Sequence, residues 1–279
     1  MLNLQSLKIN PFTENLGNFF VTTFGKSNSK YIDFLNFAST VSLENIANGD
    51  MVYHDVDHTI MVASVGQEII RGKHLFEGGL SPNDAINYLL SLLCHDIGFV
   101  KGVCKKDNLA MNLFDDGEGG MVEISDSGSC AMLQPYHVSR GKLFVRERFE
   151  NFNFLDIELI EECIERTRFP IPGDDSYQNS QDLPGLARAA DLIGQLGDPQ
   201  YLNRIPALFY EFDELGMNAE MNYHSPGDLR KGYAQFFWSV VNKYVSEGLS
   251  FLRATQEGKK WISFLHSHVF ECENVKSVR

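Results

Sequence analysis

The sequence predicts an all-α fold, and three observations carry that expectation. Apolar residues recur at helical spacing over most of the chain, as in Tyr31, Phe34, Leu35, Phe37 and Ala38. Helix start and stop residues bound such stretches, with Ser81-Pro82 before one of them and Gly98 after it. No alternating strand series and no strand-helix-strand punctuation interrupts the pattern. At 279 residues, 43% of them hydrophobic, the chain can bury a sizeable core as a single domain over 1–279. Within that domain the residues of chemical interest fall between about 50 and 200, and 201–279 reads as a helical extension.

Taken in order, the first expected helix covers Lys30 to Ala47 and the second Asp57 to Arg71, with Ile60, Val62, Ala63, Val65, Ile69 and Ile70 on its apolar side. A third begins at Ser81 as N-cap and Pro82 in the first turn, and runs through Ala85, Tyr88, Leu89, Leu92 and Leu93 to Gly98. Gly98 to Gln134, with Gly117-Glu118-Gly119-Gly120 and Ser125-Asp126-Ser127-Gly128-Ser129, reads as an irregular excursion holding a small hairpin. Helical spacing returns over Arg140 to Phe149, Asp156 to Thr167 and Leu183 to Leu196. Pro199 opens a helix to about Leu215, and a long helical segment follows from Pro226 to about Glu257. In that last segment Phe236, Phe237 and Trp238 read as core rather than as a platform for stacking bases.

The net charge of -13 argues against an open surface for a nucleic-acid polymer, which needs Lys and Arg gathered on one face. It leaves room for a small anionic substrate where a metal supplies positive charge. The five cysteines are scattered without CxxC spacing, which speaks against structural zinc and for a reducing compartment. Residues 1–10 carry no apolar signal core and no run approaches membrane-spanning length, so the expectation is a cytoplasmic protein without a membrane partner. Gly117 to Gly120 lacks the Lys-Ser/Thr of a P-loop, and no GxSxG nucleophile elbow occurs.

Chemistry gathers at three places. His95-Asp96 closes the apolar run Leu92-Leu93-Cys94, where an ionised carboxylate is costly unless paired or metal-bound. Adjacent residues stand about 100° apart on a helix, so both reach one ion only near a helix end, which Gly98 provides. His54 and His58 are four residues apart, hence on one helical face. Asp191 interrupts the alanine- and leucine-rich stretch from Leu186 to Gly194 and is expected to face the interior. Imidazoles and carboxylates from these places make a mixed nitrogen and oxygen set for a divalent cation: Mn, Fe, Zn, Ni or, less well, Mg.

The order His58, His95-Asp96, Asp191 resembles the H…HD…D signature of the HD-domain metal-dependent phosphohydrolases, an all-helical superfamily. The string Tyr53-His54-Asp55-Val56-Asp57-His58-Thr59 is similar to the YHNxxHA motif of the cyclic nucleotide phosphodiesterases within it. The resemblance spans Tyr53 to Gly197. It implies an HD-domain-like helical bundle in which His58, His95, Asp96 and Asp191 bind metal and His54 is the general acid. Asp55 stands in place of the motif's Asn, Thr59 in place of its Ala, and Phe99 in place of the second histidine of HDxxHxG. The last change bears on a second ion, so the expectation is one metal or two. His137 lies in the interval where related proteins carry further ligands, and is a candidate for that second ion or for substrate.

The activity that follows is hydrolysis of a small phosphate ester, nucleotide or cyclic-nucleotide-like, by a metal-activated water. Candidate phosphate contacts are Arg140 and Lys142, in the densest basic stretch, and Arg168 in Arg166-Thr167-Arg168. Two other readings stay open: a di-iron oxygenase on the same scaffold, and a non-catalytic, metal-stabilised ligand-sensing module. The carboxy-terminal helices could cap the pocket or form a homodimer interface.

Overall fold

Each helix of this chain carries an apolar stripe, and burying those stripes against one another builds an all-α structure. The computed structural model describes residues 3–274. The helices are α1 (Ser6–Phe24), α2 (Ser29–Ile46), α3 (Val56–Glu77), α4 (Pro82–Cys94), α5 (His137–Phe149), α6 (Ile157–Glu165), α7 (Leu183–Leu196), α8 (Tyr201–Glu214), α9 (Met217–Glu220), α10 (Pro226–Phe236), α11 (Asn242–Leu252) and α12 (Gln256–Asn274). Among the described residues the one sheet is an antiparallel hairpin of β1 (Leu113–Asp115) and β2 (Met121–Glu123), with Phe114 opposite Val122. No helix among them is long and apolar enough to cross a membrane.

Local chemistry sets the helix starts. Ser81 and Asp84 form a reciprocal capping box with Pro82 in the first turn of α4. The side chains of Asp55, Asp156 and Asp182 each accept an N–H from the first turn of α3, α6 and α7. Two helices lie outside the sequence expectation. α1 contains Pro11, which disguises it, yet Ile9, Phe12, Leu16, Phe19 and Phe20 form a continuous buried stripe. The long segment expected from Pro226 passes through a π turn at Phe237–Val241 and ends at Leu252, before α12 begins. Thr255 makes that break: its hydroxyl accepts the Gly258 N–H at 2.9 Å and donates to the buried Glu68 carboxylate at 2.7 Å. Of the aromatic triplet only Phe237 is fully buried, and Trp238 is half exposed.

The centre of the molecule is α3 against α4 and α7, through Val62, Val65, Ile69, Leu89, Ala190 and Ile193. α3 and α7 approach closely because position 194 has no side chain: a Cβ there would lie 2.6 Å from the Cα of Val62. Gly194→Ala is therefore expected to lower stability by about 1–3 kcal/mol, the usual cost of overpacking, seen as a fall in Tm.

Arg140 pins the excursion to this core. It is fully buried, and all five of its N–H donors are taken. Nε donates to the Gly98 carbonyl at 2.6 Å, Nη2 to the Val100 carbonyl at 2.9 Å, and Nη1 to the Asp115 carbonyl. Both terminal nitrogens also meet the carboxylate of Asp107, at 3.0 and 2.9 Å. Arg140 thus has no donor left for a phosphate, and its role is to hold the loop-and-hairpin segment in place.

Candidate metal centre

Four helices bring their ends or faces to one point. His58 sits in the first turn of α3, where its N–H is held by Asp55 at 3.0 Å. His95 caps the C-terminus of α4 and Asp96 follows it out of helical geometry, so the adjacent pair turns to the same side. Asp191 projects from the middle of α7. Gly98 lets the start of α5 press against the turn after Asp96, since a Cβ there would lie 1.9 Å from the His137 carbonyl.

The result is a tight group of ligand atoms. Nε2 of His58 is 3.4 Å from Nε2 of His95, and each lies 3.2 Å from Oδ2 of Asp96 and 3.6 Å from Oδ1 of Asp191. Ligands about 2.1 Å from a common tetrahedral centre stand about 3.4 Å apart. The two histidines and Asp191 form one group of mutually close ligand atoms, and His54, His58 and Asp96 form another. Oδ2 of Asp96 is buried without a hydrogen-bond partner. An orphaned carboxylate oxygen beside two facing imidazole nitrogens is what a cation would satisfy, so these residues fit a divalent metal. Nδ1 of His95 donates to the Leu92 carbonyl at 2.7 Å, which leaves the Nε2 lone pair free to point inward. Without a cation, burial works against both charges, yet Asp96 and His95 hold each other ionised, the carboxyl well below its usual range and the imidazole well above.

His54 stands beside this group and is paired with Glu211 of α8, Nδ1 to Oε2 at 2.5 Å. The other oxygen of Glu211 accepts the backbone N–H of Tyr53 at 2.7 Å and of His54 at 3.3 Å, fixing the whole turn. Burial lowers the His54 pKa, but the Glu211 carboxylate more than reverses this and raises it to about 9. Arg204, also on α8, donates to the Tyr53 carbonyl and to Asp55, both at 2.7 Å. Neither Glu211 nor Arg204 is marked by a motif. Their spacing of seven residues on one helical face was the only available signal.

Phe99 packs beside His54. Its ring stacks between His54 and His137, with centroids at 5.0 and 4.3 Å and both interplanar angles 19°. His137 is buried, its Nδ1 donates to the Gln134 carbonyl, and burial lowers its pKa, which favours a neutral imidazole. Its Nε2 is 4.0 Å from Oδ1 of Asp96, and it belongs to neither group of close ligands among the described residues.

His54, His58, Asp96 and Asp191 line a cleft whose wall also includes Arg168 and Arg188. Lys142 is not part of that lining. Lys142, at 2.6 Å, and Arg168 both pair with Glu165. Burial raises the Glu165 pKa, but Arg168, Lys142 and Tyr177 override it and bring the carboxyl from 4.5 down to about 2. A depressed carboxyl adds stability above its unfolded pKa, so the contribution is complete above about pH 4.5 and fades toward about pH 2. Because Glu165 is only partly buried and solvent screens its partners, on the order of 1 kcal/mol is expected. Lys142→Met should flatten that part of a urea-midpoint profile against pH.

Arg188, one turn before Asp191, is buried and differs from the other arginines of the core. Nη1 donates to the Tyr177 carbonyl at 2.6 Å and Nη2 to the Asn179 carbonyl at 3.0 Å, while Nε has no partner. The guanidinium lies 4.1 Å over the Tyr244 ring, and burial lowers its pKa to about 10.

No curated protein matches the chain. The Npun_R2479-like family model matches residues 2–275, nearly the whole length, and the protein belongs to that family.

Proposed function

We propose that the protein is a metal-dependent phosphohydrolase acting on a small phosphate ester. The observation that carries this reading is the convergence of His58, His95, Asp96 and Asp191 on one point with the His54-Glu211 pair beside it. When bound there, a divalent cation supplies a Lewis acid that makes water a nucleophile near neutral pH. His95 and His58 would offer their Nε2 atoms, and the two carboxylates would bring negative charge to match the ion.

His54 is held protonated through neutral pH, with Nδ1–H on Glu211, so Nε2 carries the proton for a departing alkoxide. Glu211 orients the ring and balances its charge. Phe99 keeps the imidazole face dry and its plane fixed. The five free thiols, four of them buried, suit the reducing cytoplasm.

The test is metal content together with phosphate release. Protein purified without chelator is expected to carry a divalent transition metal, and phosphate release from an ester panel should vanish on chelation and return on adding that metal. No metal uptake on titration, or release indifferent to chelation, would overturn the reading.

A further inference from the structure

The cleft is chemically two-ended. At one end lie His58, Asp96 and Asp191 of the ligand group, with His54. The rest of the wall is built by α8, α9, α10 and the segment after α6, through Phe169, Leu208, Phe212, Met217, Leu229 and Phe236. The amide side chains of the lining, Gln134 and Gln195, belong to the stretches that carry His137 and Asp191, so the uncharged polar groups left to the far wall are hydroxyls, of which those of Tyr233 and Thr167 already donate to the Leu196 and Ile164 carbonyls. A methionine in such a wall adapts its shape to an apolar guest.

The wall also includes, one turn before Asp191 on α7, a positive charge that has no carboxylate at ion-pair distance among the described residues. This is Arg188, and two of its five N–H donors, that on Nε and one on Nη1, are unused. Arg140, by contrast, has every donor filled and Asp107 as counter-ion. A buried guanidinium left without an anion, on the wall of a cleft, is matched by an anionic ligand.

We propose that the cleft takes an amphiphilic phosphate monoester, its phosphate between the metal ligands and Arg188 and its apolar alcohol portion against the far wall. This substrate class rests on the phosphohydrolase reading above. Hydrolysis adds water across the P–O bond: the hydroxyl goes to phosphorus, the alcohol oxygen takes a proton from His54, the proton released by the water returns to His54 through solvent, and inorganic phosphate and an apolar alcohol leave.

The experiment is calorimetric titration of the metal-loaded full-length protein with ethyl, butyl, hexyl and octyl phosphate, each below its aggregation concentration, and with adenosine monophosphate. Phosphate release is measured on the same samples. Affinity is expected to rise about three- to fourfold per methylene until the wall is filled, and octyl phosphate should outbind the nucleotide. Leu229→Lys should remove the chain-length increment, so that octyl phosphate binds no more tightly than ethyl phosphate. Arg188→Gln should weaken every member about tenfold or more, with the increment retained. Thermal melting and metal content check that both variants are folded and loaded, and Arg188→Lys serves where Arg188→Gln fails that check. Affinity independent of chain length, tighter nucleotide binding, or no binding by any member overturns the proposal. Length-dependent binding without phosphate release keeps the ligand class and overturns the phosphohydrolase reading instead.

Discussion

Replacing His54 with alanine is expected to lower turnover about 10²- to 10⁴-fold while leaving the metal bound, the range over which positioned general acids act. The separation of the two effects follows from geometry. The four-way group of 3.2 to 3.6 Å contacts is made by His58, His95, Asp96 and Asp191 and does not include His54. What His54 holds is a proton, kept there by Glu211 against the pull of burial. Glu211→Gln should therefore move the alkaline limb of the turnover profile to lower pH, because the raised pKa of about 9 loses its cause. An alanine variant with unchanged turnover on the best ester would remove His54 from the chemistry. Esters with good leaving groups, such as aryl phosphates, should suffer least, since their departing oxygen needs little protonation.

Asp191→Ala is expected to have its main effect one step earlier, on metal content. Removing an outer-shell partner of a metal ligand typically costs about 10–100-fold in affinity, so loss of a carboxylate at the ion itself should reach at least the upper end of that range. Metal analysis after gel filtration reads this directly. Fold loss is a poor rival explanation because Asp191 makes no cap or hydrogen bond that α7 depends on, the helix start being held by Asp182. Full metal retention in this variant would remove Asp191 from the ligand set.

That His58, His95, Asp96 and Asp191 would converge was legible because their chemistry is conspicuous: charged or ligating side chains set into apolar helical stretches invite a shared partner. The helix starts were legible for a similar reason, Ser81-Pro82 above all, since caps are local and need no partner from far along the chain. Glu211 is the opposite case. In sequence it is one acid in the polar stripe of an ordinary helix, and only the fold brings it to a histidine 157 residues away. Arg140 misled for a related reason: a basic run reads as an exposed face, and its neighbours Lys142 and Arg146 do reach carboxylates near the surface, while Arg140 alone turns inward. The division between a chemical core at 50–200 and a carboxy-terminal extension dissolves at α8, which carries both the partner of His54 and part of the cleft wall.

That double duty of α8 limits how the molecule can change. Arg204, Leu208, Glu211 and Phe212 repeat at intervals that keep them on one side of the helix. Exchanging Leu208 or Phe212 for a larger or smaller side chain reshapes what the cleft accepts and leaves the proton donor seated. Adding or deleting one residue between them turns Glu211 by about 100° and unseats it. Substitution at Leu208 or Phe212 of α8 is therefore expected to change the cleft wall alone, while the length of that helix is tied to the His54-Glu211 pair.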